Sequence, residues 1–200
     1  MNVAKIILLA ALSAWGATAC APKDTALTET QRAFCENLGI ETSQALGKKL
    51  LAQLQGALAS GDLTTAITVC QSAAQPITAT ASEQKPGVSI RRTSLKYRNP
   101  ENAPDSIDRE VLESWESSKE AIQGFARQTG TNAARYYAPI VVKEACLKCH
   151  GPRESLPETL TNTLDKLYPD DLAHGYALGD LRGTFRVGID LTKAVPNSNP

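Results

Sequence analysis

The residues best equipped to do chemistry are Cys146-Leu147-Lys148-Cys149-His150. Two cysteines separated by two residues, with histidine directly after the second, form the attachment pattern of a c-type haem. The spacing has a chemical reason. On a tight, roughly helical turn both thiols reach the vinyl groups of one porphyrin and form thioethers. The histidine is then held against one face of the ring, where its imidazole can ligate iron. A thioredoxin-like dithiol needs a strand running into a helix start and no following histidine. A zinc site needs a second Cys/His pair, which the chain lacks. The motif therefore predicts one covalently attached haem c, bound through Cys146 and Cys149, with His150 on the iron.

The second axial position decides the chemistry of such an iron. The only methionine is Met1, which leaves with any cleaved signal, so the His/Met centre of the usual electron carriers is excluded on cleavage. Cys70, Cys35, His174, a lysine or an open site remain. Leu63, Ala66, Ile67, Cys70, Ala74 and Ile77 recur at helical spacing, which turns Cys70 toward an apolar face. Beside a ferric porphyrin its thiol would be held as thiolate. The plainer readings of Cys70 are a small core residue or a disulfide with Cys35, since leftover cysteines in an oxidising compartment pair. His174 lies in a polar segment, Asp170 to Gly175. Arg91, Arg92 and Arg182 flank predicted strands. They either pair with the haem propionates, whose burial is costly alone, or are solvated surface charge.

The N-terminus places this chemistry outside the cytoplasm. Lys5, the apolar run Ile6 to Leu12 and Ala17-Thr18-Ala19 read as a signal peptide over residues 1–19, too short to span a bilayer. Cys20 follows directly, as in a bacterial lipoprotein, although Ala17 stands where leucine is usual. The expectation is a lipid on Cys20 and a periplasmic protein anchored to a bacterial membrane. Cleavage by ordinary signal peptidase would leave a soluble periplasmic protein instead. The formal net charge is zero, with 21 basic and 21 acidic residues. Basic residues are dispersed apart from Arg91-Arg92, so no nucleic-acid surface is expected.

The remaining elements must position these groups. Residues 20–27 read as a tether, 28–195 as one domain and 196–200 as a disordered tail. Helical periodicity runs from about Glu29 to Ala59 and resumes after Asp62, with Pro76 kinking or ending the second helix. Val88 to Ile90 reads as a short strand and Arg91 to Pro104 as a loop. Asp105 caps a third helix with a stripe from Ile107 through Trp115 and Ile122 to Phe125, stopping near Gly130. Tyr136 to Val142 reads as a strand, at an edge because of Pro139. Pro157 opens a short helix bearing Leu160, Leu164 and Leu167. Thr184 to Leu191 alternates as a strand with one buried and one wet face. Helices come mostly first and strands mostly later, which predicts an α+β fold.

Several stretches resemble one family of bacterial c-type haem proteins with a PAS-like domain, formerly catalogued as a domain of unknown function. They are Ala66 to Cys70, Ile90 to Lys96, Arg98 to Asp105, Cys146 to Gly151, Tyr168 to Asp171, Gly175-Tyr176 and Gly179 to Gly183. The resemblance implies an antiparallel sheet flanked by helices. It also implies that a cysteine from an earlier helix, here Cys70, is the sixth iron ligand opposite His150. Cys35 falls outside the matching stretches, and His174 receives no role from them.

Three functions follow as expectations. The first is a low-potential redox relay or redox-sensing module that works with an unidentified redox or signalling partner protein. The second is a sensor of NO or CO in which Cys70 leaves the iron. The third is a peroxidase-like enzyme with an open distal side and His174 as acid-base group. Two protein ligands leave no vacant position for substrate, which favours a protein that is not an enzyme.

Overall fold

A computed structural model of the chain describes residues 26–118 and 120–194. The expected signal, Cys20, the first part of the tether and the tail from 196 lie outside the described residues. Leu27 does not belong to a free tether. It is 7% exposed and packs in the main core.

The first helix, α1 (Glu29–Ser60), begins at a capping box. The Thr28 hydroxyl accepts from the Gln31 amide at 3.2 Å, and Gln31 Oε1 accepts from the Thr28 amide at 3.0 Å. Two otherwise orphaned helix donors are satisfied reciprocally. Asp62 caps α2 (Leu63–Ser82) by accepting from the Thr65 amide at 2.9 Å. Pro76 does not end α2, which continues to Ser82. Packing on β1 (Val88–Thr93) and on α5 (Glu158–Leu167) holds the helix through the missing hydrogen bond.

The chain then forms α3 (Ser106–Ser117), β2 (Phe125–Gly130), β3 (Ala133–Val141), α4 (Glu144–His150), β4 (Leu181–Asp190) and α6 (Leu191–Ala194). The four strands make one antiparallel sheet in the order β1-β4-β3-β2. The fold is thus α+β, an antiparallel sheet flanked by helices. One sheet face carries Ile90, Val187, Tyr136 and Ala126, which lie opposite one another across the strands and pack under α1 and α2. Approach is close there: a Cβ on Gly39 of α1 would lie 2.1 Å from the Tyr136 ring.

The other face carries Tyr137, Arg91 and Arg186. Val111, Leu112 and Trp115 of α3 cover Tyr137 and Leu181. On the inward side of α3, Asp108 is fully buried. Its Oδ1 accepts from the Tyr137 hydroxyl and from Arg135 Nη1, both at 2.9 Å. Burial and the Asp108 carboxylate hold the Tyr137 phenol above its ordinary range, even with Arg135 alongside. The neutral phenol is the folded form, so its contribution to stability is complete below the ordinary tyrosine pKa of about 10 and is lost as pH rises above it. Thermal melts should show a fall in Tm above about pH 10 that is smaller in Tyr137→Phe.

Four expectations are corrected. The third helix stops at Ser117, and Phe125–Gly130 is a strand. The apolar stripe misled because Trp115, Ile122 and Phe125 share one cluster without sharing one helix. The Trp115 and Phe125 rings meet edge to face at 5.8 Å. β1 runs on to Thr93, through residues that read as loop. β3 is internal, between β4 and β2. Pro139 is tolerated because pairing with β2 ends at Tyr137, opposite Phe125, so no partner on that side needs its missing N–H. Finally, the second face of β4 is not simply wet, because Thr184 is fully buried.

Candidate functional site

β3 leads almost directly into α4, so the Cys146–His150 motif is delivered from a fixed strand. The amide of Gly151 closes α4 onto Leu147 O at 2.9 Å. A Cβ at Gly151 would lie 2.7 Å from that carbonyl, so the tight exit requires glycine. The irregular segment 168–180 returns to the end of α4. Gly175 donates its amide to Gly151 O at 2.8 Å and Tyr176 donates to His150 O at 3.0 Å. Gly175 adopts φ +70°, a conformation that glycine takes without a Cβ penalty.

This segment sets the state of His150. The ring nitrogen Nδ1 lies 2.7 Å from Ala173 O. A carbonyl can only accept, so Nδ1 carries the proton and Nε2 keeps its lone pair. Burial and the nearby Arg182 and Arg98 push the imidazole pKa well below its ordinary value, against the opposing Ala173 bond. His150 is therefore a neutral imidazole of fixed tautomer, the form that ligates a metal.

A buried ion pair holds this geometry. Arg98 Nε donates to Asp171 Oδ2 at 3.0 Å, with the two side chains 7% and 2% exposed. Arg98 Nη2 donates to Cys149 O at 2.8 Å and to Ala173 O at 3.2 Å. Asp171 Oδ1 accepts from the Ala173 amide at 2.8 Å. One arginine thus joins the motif helix to the carbonyl that orients His150. Sequence reasoning assigned no role to Arg98 or Asp171. The available signal was their place in the Arg98-Asn99-Pro100 and Tyr168-Pro169-Asp170-Asp171 stretches.

Cys70 of α2 reaches the same neighbourhood. Its thiol is half-buried and unpaired. Burial raises its pKa, while Arg92 and Arg98 lower it. Cys70 in turn raises the pKa of Cys149, whose thiol is already pushed up by burial. The packing explains the meeting: Ile67 of α2 and Leu160 and Leu164 of α5 form an apolar cluster with Cys149 against it. Cys35 lies elsewhere, fully buried on α1 in the main core, and is also a free thiol. No Cys35–Cys70 disulfide is present.

The structure separates the predicted arginines. Arg92 donates to Gln75 Oε1 at 3.2 Å and lies in the field of Cys70, Tyr168 and Arg182. Arg182 Nη1 donates to Ser94 Oγ and Lys96 O, each at 3.0 Å, with its guanidinium 5.4 Å from the centre of the Tyr176 ring. That ring stands edge-on to His150 at 6.2 Å. Arg91 does not join the group. It lies on the opposite sheet face, and its Nη2 donates to Glu101 O and Ala103 O at 2.9 and 2.7 Å. The half-buried His174 forms no side-chain hydrogen bond among the described residues. Its backbone carbonyl accepts from Lys96 Nζ.

Three arginines, Arg92, Arg98 and Arg182, thus converge on His150 and Cys70, with Asp171 as the carboxylate bonded within the group. Arg92 Nε and Arg98 Nη1 are buried without a hydrogen-bond partner. Among the described residues no cluster of three or more His, Cys, Asp or Glu side chains is arranged to hold a bare metal ion. No helix among them is long and apolar enough to cross a membrane.

No curated protein matches the chain. The crystal structure of the cyanobacterial haem protein Tll0287 is similar, with a TM-score of 0.56 and 28% sequence identity over 80% of this chain and 98% of that one. The family model described as Tll0287-like: Tll0287 matches residues 3–190, which include every element that builds the site. The chain belongs to the Tll0287-like family, a haem-protein family.

Proposed function

We propose that this chain carries one haem c, attached through Cys146 and Cys149, with His150 and Cys70 as the two protein ligands of the iron. The observation that carries the reading is that the unpaired Cys70 thiol, from a helix remote in sequence, lies within electrostatic reach of Cys149 and of Arg98. The neutral imidazole of His150, with Nε2 free, supports it from the other side. So does the haem of the cyanobacterial relative.

The donor set fits this group. Burying the two propionates of haem requires positive partners. Arg92, Arg98 and Arg182 supply charge in excess of Asp171, including the two buried N–H groups that lack an acceptor. Arg91, committed to backbone carbonyls, is not among them. When bound, haem supplies a one-electron ferric/ferrous couple. The chain's own residues set the conditions. With haem bound, Cys70 would be the residue to hold the iron as thiolate, a ligand that would favour the oxidised state. Ala173 fixes the His150 tautomer, and Arg98 fixes Ala173.

Two protein ligands leave no position for a substrate. The function this supports is a low-potential redox relay or redox-sensing module of PAS-like type. We place it in the periplasm, tethered through a lipid on Cys20 and read by a redox or signalling protein. The peroxidase-like reading needs His174 as distal acid-base group, and among the described residues the His174 side chain forms no hydrogen bond to the site. Reductive titration of the purified protein tests the proposal. A negative midpoint potential is expected, and a clearly positive one contradicts thiolate ligation.

A further inference from the structure

The sheet face under α3 is only partly covered. Beyond the end of α3, strands β1, β3 and β4 floor an open groove of ≈ 780 Å³ lined by Ser89, Thr129, Asn132, Arg135, Arg186 and Gly188. It lies on the sheet face opposite the main core and plays no part in the His150 site.

Arg186 is the unusual member. Its side chain is 17% exposed, yet none of its N–H groups has a hydrogen-bond acceptor among the described residues. The nearest carboxylate oxygen is Asp108 Oδ1, 3.8 Å from Nε. That oxygen already accepts from Tyr137 and Arg135 at 2.9 Å. Arg91, opposite Arg186 in the sheet, and Arg135 both add unfavourable positive charge. The side chains of Ser89, Thr129 and Asn132 also form no hydrogen bonds among the described residues. Gly188 keeps the space beside them open. A Cβ there would lie 2.6 Å from Ser89 Oγ and 3.8 Å from Arg186 Nη1.

We propose that this groove binds a small organic carboxylate, paired with Arg186 and hydrogen-bonded by Ser89, Thr129 and Asn132. A guanidinium fork matches a carboxylate in two parallel bonds. The groove is larger than an inorganic phosphate ion, which leaves room for the carbon skeleton of an organic carboxylate. The proposal does not depend on the haem reading, because binding is measured directly.

The test is isothermal titration of the full-length protein, as isolated, with lactate, succinate and inorganic phosphate at millimolar concentrations. Saturable binding of lactate or succinate is expected. It should weaken about tenfold or more in Arg186→Gln, the loss typical of one charge-assisted bond. Asn132→Ala, at the turn between β2 and β3, should weaken it less and serves as the second variant if Arg186→Gln does not fold. Absence of carboxylate binding to the wild type overturns the proposal. So does unchanged binding in Arg186→Gln or, if that variant does not fold, in Asn132→Ala. Phosphate binding as tight as carboxylate binding overturns the carboxylate assignment.

Discussion

The Cys146→Ser/Cys149→Ser double variant should carry no haem through denaturing electrophoresis, whereas the wild-type band should stain for haem. The reason lies in the two thiols on α4, which this variant removes together. Each single variant should keep one thioether and stain more weakly. The change is chemically small, an oxygen for a sulfur. Any loss of stability should come mainly from Cys149, which packs against the Ile67, Leu160 and Leu164 cluster. A haem stain that survives the double substitution would contradict covalent attachment at these residues.

Arg98→Ala should cause the largest loss of stability of any single change at the site. It leaves the Asp171 carboxylate, 2% exposed, without its cation, and frees the carbonyls of Cys149 and Ala173. Removing one partner of a buried pair costs about 3–5 kcal/mol, a large share of the roughly 5–15 kcal/mol that holds a typical domain folded. Urea melts should show the midpoint falling with little change in slope. Asp171→Asn should cost less, because the amide oxygen can still accept from the Ala173 amide. In Arg98→Ala the Ala173 carbonyl loses its side-chain donor, so His150 should show a mixture of ring orientations, seen as heterogeneous haem spectra, whereas Asp171→Asn keeps that donor and should show less of it. A cost below about 1 kcal/mol for Arg98→Ala would place this pair with ordinary surface ion pairs.

The Cys146–His150 stretch was conspicuous because its signal lies in local sequence spacing alone, and the structure places it on one short helix. The long helices were legible too, since Asp62 marks where the second begins and the apolar period fills both. Cys70 was half legible. Its helical face could be read, but its approach to Cys149 comes from α5 packing on α2, a long-range fact with no local signature. Arg98 and Asp171 escaped notice for the same reason, because each is an ordinary charged residue until the fold buries both. Arg91 and Arg92 show the converse: adjacent residues on a strand point to opposite faces. A reading that gave both the same role could be right for one at most. The third helix was overextended because one apolar cluster gathers Trp115 from a helix and Phe125 from a strand, and helical periodicity cannot distinguish the two.

The central claim is that Cys70 and His150 hold one iron between them. Its most direct test is the electron paramagnetic resonance spectrum of the ferric protein, recorded beside Cys70→Ala, both made in a host that attaches c-type haem. The account predicts a low-spin thiolate signal in the wild type that becomes high-spin, or changes ligand, in the variant. An identical spectrum in the two proteins would contradict it and would assign the second axial position to another residue or to water.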